Sequence, residues 1–191
     1  MPIILRTFIA TVVLLMSACA SSTSLFNGRN LQGWQVTDSA KWSVQEGEIV
    51  SSGSGEGYLS TDELFGDFEL SAEFWVDATT NSGIYIRCKN RANIHPDTCY
   101  ELNIWDNHPR PEARTGAIVF KFMPPLAQVE TIGRWSLYEV VAKGGSLEVK
   151  VNGVTTAKLD DADSTPGFIA LQHFEQGTVK FRNINVRRLS N

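Results

Sequence analysis

Polar and apolar positions alternate with a period of two over much of the chain, as expected of strands that bury one face. Residues 67–77 (DFELSAEFWVD) show it best: Phe68, Leu70, Ala72, Phe74 and Val76 interleave with Glu69, Ser71, Glu73 and Trp75. Further strands are predicted at 42–45, 83–88, 99–105, 117–122, 135–142, 147–151, 155–159, 168–173 and 178–186. Turn residues stand between them, including Asn27-Gly28, Gly144-Gly145, Pro166-Gly167 and Gln176-Gly177. Asn152-Gly153 supplies the two positive-φ positions of a type I′ hairpin. No stretch after residue 24 sustains a 3.6-residue apolar period, so residues 25–191 are expected to form one all-β domain, a two-sheet sandwich. Irregular stretches at 89–97, 106–115 and 123–133 carry proline or glycine, and such loops gather at a sheet rim where binding sites are built.

The first 20 residues break this pattern. One cation, Arg6, precedes an apolar run over 7–16 and small residues that end on Cys19. The run is shorter than the roughly 20 apolar residues that span a bilayer, so it reads as an export signal, with a short membrane anchor or a buried strand as the competing assignments. Met16-Ser17-Ala18-Cys19 resembles the bacterial lipobox, with methionine where leucine is usual. That resemblance implies cleavage after residue 18, lipidation of Cys19, and a polar tether over 19–24 that contains Ser21, Ser22, Thr23 and Ser24. Ala20 stands after the cysteine in place of aspartate, which by resemblance to envelope lipoproteins implies the outer membrane, with the domain facing the periplasm. The membrane is then one expected partner.

Composition narrows the remaining classes. A chain of 191 residues, 42% hydrophobic and 20% charged, can bury a core and is not disordered. Seventeen Lys+Arg against 21 Asp+Glu leave a net charge of -4 with no basic stripe, which argues against nucleic acid as a partner. Of the three cysteines, a lipidated Cys19 leaves Cys88 and Cys99 as an even pair in an oxidising compartment. Bonded, they would close a loop of about 12 residues and stabilise by roughly 3 kcal/mol; the alternative is two free thiols. A zinc site made with His95 lacks a second close-spaced ligand pair. No cofactor is required, and no compact acidic cluster identifies calcium, although a divalent metal such as calcium stays open.

The outward faces of the strands hold the candidate chemistry. In 83–88, Ile84 and Ile86 take the core side and leave Tyr85 and Arg87 on the other; in 100–105, Glu101, Asn103 and Trp105 face away from Leu102 and Ile104. Glu73 and Trp75 extend the same polar and aromatic surface. Aromatic rings beside hydrogen-bonding groups suit a pyranose, which has an apolar C–H face and a polar rim. A solvated sheet face with incidental aromatics is the plain alternative. Cys88 follows the core parity of Ile84 and Ile86 whereas Cys99 follows that of Glu101, so a bond requires one of them to leave the regular ladder.

Seven segments, in order, resemble the successive motifs of one family: 25–34 (LFNGRNLQGW), 42–44 (WSV), 67–70 (DFEL), 81–87 (NSGIYIR), 100–106 (YELNIWD), 115–117 (TGA) and 181–184 (FRNI). This is the 3-keto-disaccharide hydrolase family, or 3-keto-glucoside lyase/hydratase domain, of the concanavalin A-like lectin/glucanase superfamily. The resemblance implies a jelly roll with a concave binding face, and an enzyme for glycosides whose 3-hydroxyl is already oxidised to a ketone. The ketone acidifies the C2 hydrogen, so a base can remove it, the C1 substituent leaves by elimination, and water adds back. Such a site needs a base, a proton source for the leaving oxygen and a donor for the enolate. Glu101 is the expected base, Asp106 the second carboxylate, and Arg87 the enolate stabiliser. Glu73, Trp75, Tyr85, Asn103, Trp105, Lys121, Gln172 and His173 are expected to bind an oligosaccharide or glycoside substrate. Lys121 could equally be solvated, Gln172 and His173 have opposite parity on a regular strand, and His108 is either a site member or a surface loop residue. Arg182 is a candidate partner for a buried carboxylate.

Two other functions stay open. Residues 101–106 (ELNIWD) have the E-x-D-x-x-E spacing of the glucanase strand, with Asn103 and Asp106 replacing the last two carboxylates. Asp106 shares a face with Glu101 only across a bulge near Trp105, with the two Cα atoms about 13 Å apart. A retaining glycosidase needs its carboxylates about 5 to 5.5 Å apart, so the spacing disfavours that mechanism. A lectin-like lipoprotein that binds carbohydrate without turning it over is the other, since architecture alone does not decide function.

Overall fold

The structure, a computed structural model, describes residues 21–121, 126–160 and 162–190. The segment expected to be an export signal, Cys19, and Phe122 at the end of one predicted strand lie outside the described residues. The strands are β1 (Thr23–Ser24), β2 (Trp34–Asp38), β3 (Trp42–Gln45), β4 (Glu48–Ser52), β5 (Gly57–Thr61), β6 (Phe68–Val76), β7 (Asn81–Cys88), β8 (Tyr100–Ile104), β9 (Ser136–Lys143), β10 (Ser146–Val151), β11 (Val154–Leu159), β12 (Phe168–Phe174) and β13 (Thr178–Arg188). They form an eight-stranded sheet, β11-β10-β9-β6-β13-β4-β3 with β1 on β13, and a five-stranded sheet, β2-β5-β12-β7-β8. The result is the all-β sandwich of a lectin-like jelly roll.

Alternation decides which face each strand buries. Phe68, Leu70, Ala72, Phe74 and Val76 of β6 are all buried, while the residues between them are half-exposed. They share one core with Tyr138 and Val140 of β9, Phe181 of β13 and, from the opposite sheet, Ile84, Ile86, Leu102, Ile104 and Leu171. The β10–β11 hairpin turns on Asn152 (φ 51°) and Gly153 (φ 77°), the type I′ geometry that this pair favours. Residues 117–121 do not continue as the expected strand. A single bridge joins Ile118 to Leu102, and the chain then turns through Phe120 at φ 59°.

One irregularity sets the chemistry of both faces of β7. Ala170 of β12 pairs with Tyr85 and Phe168 pairs with Cys88, so two residues of β7, Ile86 and Arg87, oppose Ile169 alone. Arg87 occupies this bulge at φ 55°. Opposite it, a Cβ on Gly167 would lie 2.3 Å from the Arg87 carbonyl carbon, so the close approach requires glycine. Past the bulge the parity reverses. Cys88 moves to the Tyr85 side, joins Cys99, Ile94 and Phe168 in a small second core, and is bonded to Cys99 with Cα atoms 4.6 Å apart. Cys88 is therefore the partner that leaves the ladder, and residues 89–98 become a loop tied at both ends.

The same bulge turns Arg87 away from the expected sugar surface. Its side chain is buried, Nη1 donates to the carbonyls of Gly144 and Asp163 at 2.9 Å each, and Nη2 lies 3.4 Å from Asp67. Asp67 also accepts the Gly144 amide at 2.9 Å. Arg87 thus joins the start of β6 to the β9–β10 turn. It does not act at the cleft, contrary to the role expected of an enolate stabiliser.

Candidate functional site

The five-stranded sheet presents a concave face whose side chains follow from its register. Across it, Tyr58 of β5 stands beside Gln172 of β12, Gln172 beside Gly83 of β7, and Gly83 beside Asn103 of β8. In the next row Ala170, Tyr85 and Glu101 stand side by side. Gly83 leaves a gap in the first row: a Cβ there would lie 3.3 Å from Glu101 Oε1. Above it lies a pocket of about 210 Å³, walled by Tyr58, Tyr85, Glu101, Asn103, Gln172 and Trp105 and rimmed by His95, His108, Phe120 and Phe174.

The interior of this pocket is polar and incompletely satisfied. Glu101 is 6% exposed, and burial pushes its carboxyl up to about 7, partly offset by the hydrogen bond from Tyr85. The Gln172 amide donates to the Tyr85 hydroxyl at 3.1 Å, which leaves the tyrosine hydrogen free for Glu101. Burial holds Tyr85 far above the ordinary phenol range, so it stays a neutral donor. Tyr58 meets Tyr85 edge-on with ring centroids 5.2 Å apart. Asn103 Nδ2 donates to the Ala113 carbonyl, but Asn103 Oδ1 and Gln172 Oε1 are buried with no partner among the described residues. Buried acceptors of this kind cost about 1–3 kcal/mol each, and a ligand hydroxyl would satisfy them. His108 Nδ1 lies 3.0 Å from both the amide nitrogen and the carbonyl oxygen of Arg110, and burial lowers its pKa and favours the neutral ring.

The sequence-predicted residues divide sharply. Tyr85, Glu101, Asn103, Trp105 and Gln172 converge on the pocket. Asp106 does not. It accepts the hydroxyl and amide of Thr131, the amide of Ile132 at 3.2 Å and the Thr115 hydroxyl, a set of bonds that fixes two loops. The neighbouring Gly116 amide donates to the Tyr138 hydroxyl at 3.0 Å, so the 115–117 segment is likewise a structural clasp. His173 points between the sheets, with Nδ1 3.0 Å from the Ser51 hydroxyl. Glu73 and Trp75 lie on the outer face of the other sheet: Glu73 accepts from Arg182 at 2.7 Å and Asn183 at 2.9 Å, and the Lys180 ammonium sits 5.6 Å from the Trp75 ring centre. They were assigned to the same surface because parity gives the face of a strand but not which sheet it joins. Lys121 lies over Tyr100 and does not line the pocket.

Sequence reasoning missed Tyr58, Asn81, His95, Phe120 and Phe174. The Tyr58–Leu59–Ser60 alternation was the available signal, hidden because a five-residue strand that begins on glycine reads as a turn. A further groove of about 240 Å³ lies on the outer face of the eight-stranded sheet, but its Glu69–Arg187 and Glu148–Lys150 charges are paired. Among the described residues no group of three or more His, Cys, Asp or Glu side chains is placed to hold a metal.

The polar pocket on the concave sheet and the family that the sequence matches together support a carbohydrate-active role. The chain belongs to the 3-keto-alpha-glucoside-1,2-lyase-like family, whose sequence model matches residues 21–187. Among solved structures, a putative glycosyl hydrolase of Parabacteroides distasonis is 22% identical at a TM-score of 0.76 and covers 88% of this chain and 94% of its own. Another from the same organism is 25% identical at 0.74, over 88% and 100%. A carbohydrate-binding module of Bacillus subtilis shares the fold at 12% identity and a TM-score of 0.60, over 86% and 99%. No curated protein matches the chain.

Proposed function

We propose that the chain cleaves 3-keto-glycosides by elimination and rehydration, with Glu101 as the base. One observation carries this: among the described residues Glu101 is the only carboxylate that lines the pocket, and it ionises near neutral pH. Ordinary glycosidases need two carboxylates flanking the bond, and Asp106 is fully engaged elsewhere. A base that acts on carbon is instead best placed with a pKa close to the working pH.

In the proposed sequence the Glu101 carboxylate takes the C2 proton, and the C2–H pair moves into an enolate whose negative charge rests on O3. The enolate then expels the C1 oxygen, which takes the proton from Glu101, to leave a C1–C2 double bond and restore the ketone. Water gives a proton to Glu101 as its hydroxide adds at C1, and Glu101 passes that solvent-derived proton to C2. The neutral Tyr58 hydroxyl supplies a donor at the pocket wall, in the role expected of Arg87. Asn103 Oδ1 and Gln172 Oε1 accept sugar hydroxyls. Incubation with a methyl 3-keto-glucoside in deuterated water tests the scheme. Product carrying deuterium at C2 supports it; binding without product, or cleavage without exchange, overturns it. The proposal places the enzyme in the cell envelope, anchored through Cys19, supported by the lipobox-like 16–19 segment and a disulfide suited to an oxidising compartment. Cys19→Ala should release the protein from the membrane fraction.

A further inference from the structure

The Glu101 pocket is not the end of the cleft. Beside it lies a second hollow of about 410 Å³, formed by Asp38 and Glu56 together with Tyr58, Gln172 and Phe174. The last three also line the Glu101 pocket, so the two hollows share a wall and form one trough across the sheet. From Asn103 on β8 to Tyr58 on β5 is three strand steps, about 14 Å, long enough for two pyranose rings in line.

We propose that this second hollow is the subsite for the leaving-group half of the substrate, and that it selects a neutral polyhydroxylated ring and rejects an acidic one. The inference rests on the 3-keto-glycoside reading above and adds the identity of the group at C1. Three features carry it. Gln172 is 5% exposed, and its unpartnered Oε1 lies in the wall common to both hollows, where a hydroxyl from either ring can donate to it. Asp38 and Glu56 supply carboxylate acceptors without a cation among the lining residues, an arrangement that binds diols and repels a uronate. Tyr58 lines both hollows and stands between them as a ring for sugar C–H faces. Asp38 is held at φ 64°, a conformation that asparagine also tolerates, so the carboxylate can be removed without disturbing the backbone.

The test uses the Asp38→Asn, Glu56→Gln double variant with three substrates: a methyl 3-keto-glucoside, a neutral 3-keto-disaccharide, and one with a uronate leaving group. The variant should raise KM about tenfold for the neutral disaccharide, the loss expected of a charge-assisted hydrogen bond, and leave the methyl glycoside unchanged. It should also narrow the gap between the neutral and uronate substrates. Unchanged disaccharide kinetics, or an equal effect on the methyl glycoside, overturns the subsite. If wild-type protein turns over none of the three, the elimination reading has failed, and calorimetric binding of the unoxidised disaccharide decides the subsite alone. Weaker binding by the variant then supports it, and equal binding overturns it.

Discussion

The two outer surfaces of the sandwich carry similar residue types and treat them in opposite ways. On the eight-stranded sheet, Glu73 meets Arg182 and Asn183, Lys180 meets Glu48, and Trp135 is capped by the Arg182 guanidinium 3.9 Å from its ring centre. On the five-stranded sheet, Glu101 has a tyrosine for company, and two amide oxygens have no partner among the described residues. Carboxylates, amides and aromatic rings therefore do not make a site by being present. They make one where the fold withholds their partners and keeps water away.

That contrast can be tested by substitution on each side of it. The largest effect is expected at Glu101→Gln, which should lower kcat/KM about 10²- to 10⁴-fold while binding of an unoxidised sugar survives. Glu101 has its pKa raised by burial from 4.5 to about 7, so the folded state holds its proton more tightly than the unfolded state. The stability from this group is complete below about pH 4.5 and declines as pH rises through 7, by roughly 3 kcal/mol in all. Thermal melts at pH 8 should then show Glu101→Gln more stable than wild type, and wild-type kcat/KM should fall about tenfold per pH unit below 7. A pH-independent rate would remove Glu101 from the base role.

Arg87→Met comes next. Breaking its buried contact with Asp67 should cost about 3–5 kcal/mol in urea unfolding, with kcat per folded molecule retained. Lost turnover in a variant of normal stability would restore Arg87 to the chemistry. Gly83→Ala, which fills the gap in the pocket floor, should leave the melting temperature nearly unchanged and raise KM roughly tenfold or more. The smallest response belongs to Glu73→Gln on the paired face, below about 1 kcal/mol in stability and with no change in kcat/KM. A catalytic defect there would erase the distinction between the two surfaces.

The sandwich was legible because alternation is a local property. Phe68 to Val76, and Leu102 and Ile104 against Glu101 and Asn103, face as their parity requires. Strands β2, β4 and β5 escaped notice: each is five residues long, and burial of Ser51, Ser60 and Thr61 blurs the two-residue period. The site was legible where strand parity was enough, as for Tyr85, Glu101 and Asn103, and Gln172 came from its place in the family motif. It was not where backbone irregularity intervened, as at Arg87, or where distant loops converge, as with the Thr131 segment on Asp106. His173 shows the limit of motif matching, since one step along β12 moves a side chain from the cleft to the space between the sheets.

The bulge at Arg87 also bears on how relatives should be aligned. Because it reverses the inward and outward sense of everything after it in β7, a homologue with the same number of residues between positions 85 and 88 but no bulge would direct its cysteine into the main core. Two cysteines at matching columns would then be unable to bond. The arginine in such a chain, no longer turned beneath the sheet, would emerge in the trough, so two chains that align here without a gap would differ in whether this position holds a structural cation or one that faces the cleft.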